Sequence, residues 1–331
     1  MIYIFCTALL FTFIFTVSVL RKLIPYLEAK KIGQIILDIG PSWHKSKEGT
    51  PTMGGVAFVI GGIIASIVAA LAFGDDMGKK ELLTLFNVIS FCLLNALIGL
   101  IDDLAKMKKS KNEGLTPKTK LIFQAIAGIL FLVSFKYTVG LDTSLYVPYF
   151  DKTLQMGALY YPFALLILCG VVNSVNLTDG LDGLASSVAL TVGIFITYVA
   201  IRITFSISLT VIGAILIGST VAFLIYNLHP AKIFMGDTGS LFLGAMVVSS
   251  SFVMNNPLIV LVYGFVFIIE ALSDIIQVGY YKISKGKRIF KMAPLHHHFE
   301  KCGFSEMRIV SLFTSVNFIF CLIALFGLGN L

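Results

Sequence analysis

The chain has 331 residues, of which 57% are hydrophobic and only 13% charged, and its mean hydropathy is +0.92. Such a balance excludes a soluble globular domain. The net charge of +7 fits a basic membrane face that attracts anionic headgroups and phosphorylated substrates, and no nucleic-acid-binding pattern accompanies it.

A membrane-spanning helix needs about 20 apolar residues. Runs near 2–20, 52–73, 82–101, 121–137, 158–175, 184–201, 204–226, 239–255, 257–281 and 308–329 predict an all-α polytopic membrane protein of about ten transmembrane helices, one domain over 1–331. The first run has no basic residues before it, and Arg21 and Lys22 follow it, so it reads as a retained helix rather than a secretory signal. Val139 to Tyr160, with Gly140, Pro148 and alternating Tyr146 and Tyr149, predicts a small external hairpin. Cys6, Cys92, Cys169 and Cys321 lie in apolar runs and Cys302 in a polar loop, without a disulfide framework or a CxxC metal pattern. No internal repeat announces an inverted-repeat transporter.

Basic residues fix the expected orientation, because short Lys/Arg-rich loops stay in the cytoplasm. Most of the 25 Lys and Arg residues fall in odd-numbered loops, among them Lys30, Lys31, Lys45, Lys47, Lys106, Lys111, Lys118, Lys120, Lys285, Lys287, Arg288 and Lys291. Both termini are therefore expected outside, and the polar clusters that interrupt the runs are expected together on the cytoplasmic side.

Those clusters carry the chemistry. His44-Lys45 to Gly55 lacks the spacing of a Walker loop, yet its amides and Lys47 can cradle an anion where the second run begins. Asp102-Asp103 closes the third run, where carboxylates at a membrane edge must be solvated, paired or metal-bound. Lys118 and Lys120, at the far end of the same loop, offer cations for phosphate oxygens. Asn176-Leu177-Thr178-Asp179-Gly180-Leu181-Asp182-Gly183, with Asn173 just before it, concentrates acids and amides beside glycines that permit close ligand approach; if the stretch is helical, Asp179 and Asp182 share a face. Phe234-Met235-Gly236-Asp237-Thr238-Gly239-Ser240 repeats the theme, although Asp237 by itself also suits a helix N-cap. Several carboxylates crowded at low dielectric require a cation, and hard oxygen donors beside diphosphate favour Mg²⁺. His296-His297-His298 point in different directions on any regular backbone, which argues against a zinc site and for phosphate contacts or proton traffic. Glu270 and Asp274, with Ser273, lie within the ninth run and are intramembrane acids, functional suspects unless they face a wet cavity at a broken helix.

Thr50-Pro51-Thr52-Met53-Gly54-Gly55, Asp102-Asp103, the Asn176 to Gly183 string, the Phe234 to Ser240 string and Ala293-Pro294-Leu295-His296-His297-His298-Phe299-Glu300, taken together and in this order, resemble the phospho-N-acetylmuramoyl-pentapeptide transferase family. This group lies within the polyprenyl-phosphate N-acetylhexosamine-1-phosphate transferases. The resemblance implies ten spans with both termini outside, a homodimer in the bacterial plasma membrane, and a cytoplasmic active site. It also implies Mg²⁺-dependent transfer of phospho-MurNAc-pentapeptide from UDP-MurNAc-pentapeptide to undecaprenyl phosphate, giving lipid I and UMP. Carried onto this sequence, Asp237 is the expected Mg²⁺ ligand, Asp102 and Asp103 the acids nearest the lipid phosphate, and His296, His297 and His298 the histidines near the phosphates. The expected substrate-binding set is Lys47, Thr52, Lys118, Asn173, Asn176, Asp179, Asp182, Asn227, Phe234 and Gly236, with Phe234 available to stack on uracil. A helix break near Glu270 and Asp274 is implied as well. Two alternatives remain: a sister transferase for GlcNAc-1-phosphate, disfavoured by the full histidine string, and a transporter, disfavoured because most acids sit at helix ends.

Overall fold

The computed structural model describes residues 1–30, 33, 47–109 and 114–329. His44, Lys45 and Ser46 of the first polar cluster, and Lys31 and Lys111 of the charge pattern, lie outside the described residues.

Helix forms wherever the sequence is continuously apolar, because a backbone without water must satisfy its own hydrogen bonds. In chain order these are α1 (Ile2–Ala29), α2 (Gly55–Lys109), α3 (Pro117–Thr138), α4 (Tyr160–Thr178), α5 (Leu184–Val199), α6 (Ile207–Asn227), α7 (Gly236–Val253), α8 (Val260–Tyr263), α9 (Phe265–Ile283), α10 (Leu295–Lys301) and α11 (Glu306–Phe326). Seven of the described helices are long and apolar enough to cross a membrane, or eight if the bent pair formed by α8 and α9 is one span.

The second and third apolar runs are not separated by a loop. They make up the 55 residues of α2 as two helices that meet at a kink, a length that at about 1.5 Å per residue is far more than one bilayer crossing. Residues 74–81 are mostly compatible with helix, and the one departure is Gly78, whose φ of 66° and ψ of 169° only glycine adopts readily. The expected hairpin is present: β1 (Ser144–Val147) pairs antiparallel with β2 (Lys152–Gln155), Ser144 opposite Gln155. Tyr149 then donates its hydroxyl to the Ile323 carbonyl (3.1 Å), fastening the hairpin to α11.

The bundle is apolar outside as well as inside. Leu10 and Ile14 on α1, Leu130 and Val133 on α3, and Ile319 and Leu322 on α11 are exposed, as a lipid-facing wall requires. In the middle stands α7, where every residue from Thr238 to Phe252 is buried. Its Ser250 and Ser251 hydroxyls donate to the Val247 and Val248 carbonyls (2.6 and 2.7 Å), so polar side chains are tolerated without water.

The run 257–281 breaks sharply, α8 and α9 meeting at 87° around Gly264. A break inside the bundle frees backbone groups that need partners. Asn317 of α11, fully buried, supplies them: its Oδ1 accepts from the Val266 N–H (3.2 Å), and its Nδ2 donates to the Tyr263 carbonyl (3.0 Å) and to Thr191 Oγ1 (2.8 Å). Asn317→Leu should therefore orphan the Val266 N–H, at about 1–3 kcal/mol, and leave the Tyr263 carbonyl only the weak Cys321 thiol donor (3.4 Å). The expected result is a clearly lower melting temperature of the purified protein in detergent; unchanged melting would mean that packing alone holds the break.

Candidate active site

The polar clusters meet at one end of the bundle because three backbone contacts draw two loops together. Gly54 and Gly55 donate to the carbonyls of Phe234 and Met235 (2.8 and 2.9 Å), and the Phe234 N–H donates to the Pro51 carbonyl (2.8 Å). On the other side α2 lies directly on the start of α7. A Cβ on Gly99 would fall 2.3 Å from the Asp237 carbonyl oxygen and 2.5 Å from the Thr238 nitrogen, so only glycine lets these helices touch. That contact carries Asp102 and Asp103, one turn further along α2, to the N-terminus of α7.

The adjacent acids do different things there. Asp103 accepts from the N–H groups of Asp237 (3.0 Å) and Thr238 (2.9 Å) and from Thr238 Oγ1 (2.7 Å), capping α7 from a neighbouring helix. Asp102 takes the Leu115 N–H on Oδ1 (2.7 Å), while its buried Oδ2 is ion-paired with the ammonium groups of Lys106 (2.7 Å) and Lys120 (3.5 Å). Asp237 accepts from Asn176 Nδ2 on Oδ1 (3.0 Å) and on Oδ2 from Lys106 (3.1 Å) and Lys120 (2.5 Å). Carboxylate oxygens of Asp102, Asp103 and Asp237 lie within 4.8 Å of one another, and two ammonium groups sit where a divalent cation would bind. An all-carboxylate set suits a hard cation such as Mg²⁺.

A second cluster gathers around Lys47. Its ammonium pairs with Asp182 Oδ1 (2.7 Å) and closely with Glu306 Oε1 at the start of α11. Asp182 Oδ2 also accepts from the Ala231 N–H (3.0 Å) and pairs with His229 Nδ1 (3.0 Å), and the Asp182 N–H donates to Glu306 (2.6 Å). Asp182, His229 and Glu306 have the spacing of a metal group, but the Lys47 charge already neutralises them. Burial alone would raise the Asp182 carboxyl, and the hydrogen bond and charge of Lys47 outweigh it, holding the group below the ordinary carboxylate range.

Asp179 and Asp182 do not share a helix face, because residues 179–183 form turns between α4 and α5. The glycines and the helix end at Thr178 release the backbone there, and Asp182 turns to the Lys47 cluster. Asp179 is raised well above the usual range, first by burial and then by the charges of Asp237, Asp103 and Asp182.

Several expected residues act as braces. Asn227 accepts from the Gly183 N–H (3.0 Å) and donates to the Ile233 carbonyl (2.8 Å), using both ends of its amide to tie the acidic loop to the Phe234 loop. Asn173 lies deeper, bonded to Gln124 (2.7 Å) and the Cys169 carbonyl (2.8 Å) and not joined to the acids. Lys118 is exposed on the first turn of α3, and Lys120 is the lysine that reaches Asp237. Thr52 and Phe234 are half-buried, and Gly236 adjoins Asp103.

The three histidines take different partners, although the rings of His296 and His297 pack with centroids 4.1 Å apart. His296 pairs with Glu270 Oε2 (2.7 Å), His297 with Glu300 Oε2 (2.7 Å), and His298 Nδ1 accepts from the Lys291 N–H (3.1 Å). Glu270 is sealed on His296 rather than facing a wet cavity, and the break lies at Gly264, ahead of both intramembrane acids. Sequence reading had passed over Lys106 as a ligand of these acids, and over His229 and Glu306. Glu306 carried one available signal, an acid at the first position of an apolar run.

Comparison with known proteins matches this layout. The Glycosyl transferase family 4 model matches residues 85–255, and the phospho-N-acetylmuramoyl-pentapeptide-transferase signature 1 matches residues 47–59. A phospho-N-acetylmuramoyl-pentapeptide-transferase of Clostridium acetobutylicum is 42% identical over 322 residues, 97% of this chain and 98% of that protein. The chain belongs to this transferase family. Proteins of the same name from Clostridium perfringens (42% over 303 residues, 91% of this chain and 92% of that one) and Rickettsia bellii (40% over 324 residues, 93% and 88%) show comparable likeness. The family signature at 47–59 spans Lys47 and the Thr50 to Gly55 loop, the segment pinned against Phe234 and Met235.

The electrostatics generate a test. Because Asp179 is raised in the folded protein, its charge destabilises the fold at pH values above its folded pKa, and that penalty fades as pH falls towards the ordinary aspartate value of about 4. Asp179→Asn should raise the melting temperature of metal-free protein by a few degrees at pH 8, with the gain vanishing near pH 4. An equal gain at both pH values would assign the effect to packing.

Proposed function

We propose that this chain transfers phospho-MurNAc-pentapeptide from UDP-MurNAc-pentapeptide to undecaprenyl phosphate, releasing UMP and forming lipid I, at the cytoplasmic face of the bacterial plasma membrane. The observation that supports this most is the Asp102–Lys106–Lys120–Asp237 network, a half-buried set of paired anions and cations at the end of a lipid-facing bundle. The family relatives carry the same activity in their name.

A diphosphate is already activated, so positioning and charge neutralisation supply most of the acceleration. Asp237 would hold Mg²⁺, which when bound neutralises phosphate charge. Lys106 and Lys120, released from Asp237, take phosphate oxygens. Asp102 Oδ2 is the carboxylate oxygen available to accept the proton of the lipid phosphate, whereas Asp103 is committed to capping α7. An oxygen of that phosphate then attacks the donor phosphorus bearing the sugar, and the bond to the UMP oxygen breaks with its electron pair leaving on UMP. Phe234, on a loop pinned at both of its backbone groups, offers its ring face to uracil, while Lys47, Asp182 and Asn227 keep that loop and the acidic loop in register. The protein works as a homodimer in this reading; with the bent α8–α9 pair as one span, α2 as two passages and the buried α7 as a further one, the spans come to ten with both termini outside.

Incubating the purified protein with UDP-MurNAc-pentapeptide, or with UDP-GlcNAc, and radiolabelled undecaprenyl phosphate tests the reaction: product is expected with the first donor only. In that assay Phe234→Ala should raise the KM for the donor roughly five- to 150-fold, the equivalent of about 1–3 kcal/mol of base stacking, with little effect on the lipid. Unchanged donor KM would place uracil elsewhere.

Orientation is tested separately in a background lacking the five native cysteines. Thr153→Cys in the hairpin should react with an impermeant thiol reagent on intact cells, and Lys287→Cys only after lysis. The reverse pattern would put the site outside.

A further inference from the structure

We propose, building on the transferase reading of this site, that Glu270 is a positioning residue: it fixes the ring of His296 so that Nε2 faces the acidic loop at which the donor binds. Glu270 is fully buried on α9, and His296, at the start of α10, is 1% exposed. The carboxylate engages His296 twice, Oε1 accepting its backbone N–H (3.1 Å) and Oε2 pairing with Nδ1 (2.7 Å). A buried carboxylate is an acceptor, so Nδ1–H donates to Glu270 Oε2 and Nε2 is the ring nitrogen left without a partner.

That atom is buried and has no partner among the described residues. Buried polar atoms are almost always satisfied, so an exception calls for a ligand or a function. Its direction is defined by Gly180, where a Cβ would lie 2.3 Å from Nε2, 2.8 Å from Cε1 and 3.2 Å from Cδ2. The imidazole thus presses on the backbone between Asp179 and Asp182, against the one residue type that leaves room for it. His297 and His298 engage Glu300 and Lys291, on or just before their own helix. Fastening α10 to α9 would need no more than the backbone hydrogen bond; the second contact, to Nδ1, orients the ring.

Glutamine at 270 keeps the shape but offers one acceptor where Glu offers two, so the backbone N–H and Nδ1–H can no longer both be held and the ring is free to present its other tautomer. With the full-length protein in detergent, Glu270→Gln should lower kcat roughly tenfold or more while the donor KM stays within about twofold and melting is little changed. Glu270→Asp should recover part of the loss. In a His296→Gln background, which is itself impaired, adding Glu270→Gln should cost nothing further, because the two act as a unit. If Glu270→Gln does not fold, the same cycle with Glu270→Asp makes the comparison. Additive losses, or a Glu270→Gln enzyme with wild-type kcat, would overturn the positioning role. A wild-type protein that transfers no UDP-sugar to undecaprenyl phosphate would instead remove the transferase reading on which the role rests.

Discussion

Four aspartates share a poorly hydrated space at the end of the bundle, and that repulsion is the constraint the rest of the site answers. Asp102, Asp103, Asp179 and Asp237 cannot all be charged there without compensation. The protein meets the problem in three ways. Lys106 and Lys120 bridge Asp102 and Asp237, the first backbone amides of α7 absorb Asp103, and Asp179 is left raised. A charged phosphate ligand entering with its own cation would exchange one set of compensations for another, so the lysines are held ready beside the acids they neutralise.

Everything that fixes this arrangement converges on α7. Gly99 lets α2 lie on its start, Gly54 and Gly55 tie the loop ahead of α2 to the residues before it, and Asn176 reaches from α4 to Asp237 and to Ser240 (2.7 Å). A helix buried on all sides cannot shift without disturbing each neighbour. The acids are therefore placed by the most constrained element of the molecule, as a site built on positioning requires.

Much of this was legible in the residues. Apolar runs located the helices, and the hairpin was visible in the tyrosines and the Gly140 and Pro148 punctuation. The acids were recognisable because charge at a membrane edge is costly and must have a reason. What the sequence concealed was connectivity. The two runs at 52–73 and 82–101 are separate helices, as their apolar spacing implies, but nothing in residues 74–81 signals that they meet directly at a kink at Gly78, and periodicity does not reveal that Asp102 and Asp103, adjacent in the chain, divide between pocket and scaffold. Asn227 looks like a ligand residue and spends both ends of its amide on loop carbonyl and amide groups. Glu306 was overlooked because an isolated acid at the start of a span resembles an ordinary helix terminus; its pairing with Lys47 depends on two segments 259 positions apart.

That long-range pairing has a consequence for how the protein is made. Lys47 lies ahead of α2, Asp182 between α4 and α5, His229 after α6, and Glu306 at the head of α11, so the cluster draws its members from nearly the whole length of the chain. Helices enter the bilayer in order during synthesis, and Lys47 must wait with its charge unmatched by Glu306 until the final span emerges from the ribosome. Closure of this cluster is thus tied to the arrival of α11, and a chain interrupted before it would keep Asp182 on Lys47, His229 and the Ala231 N–H while Lys47 and the Asp182 N–H lacked Glu306.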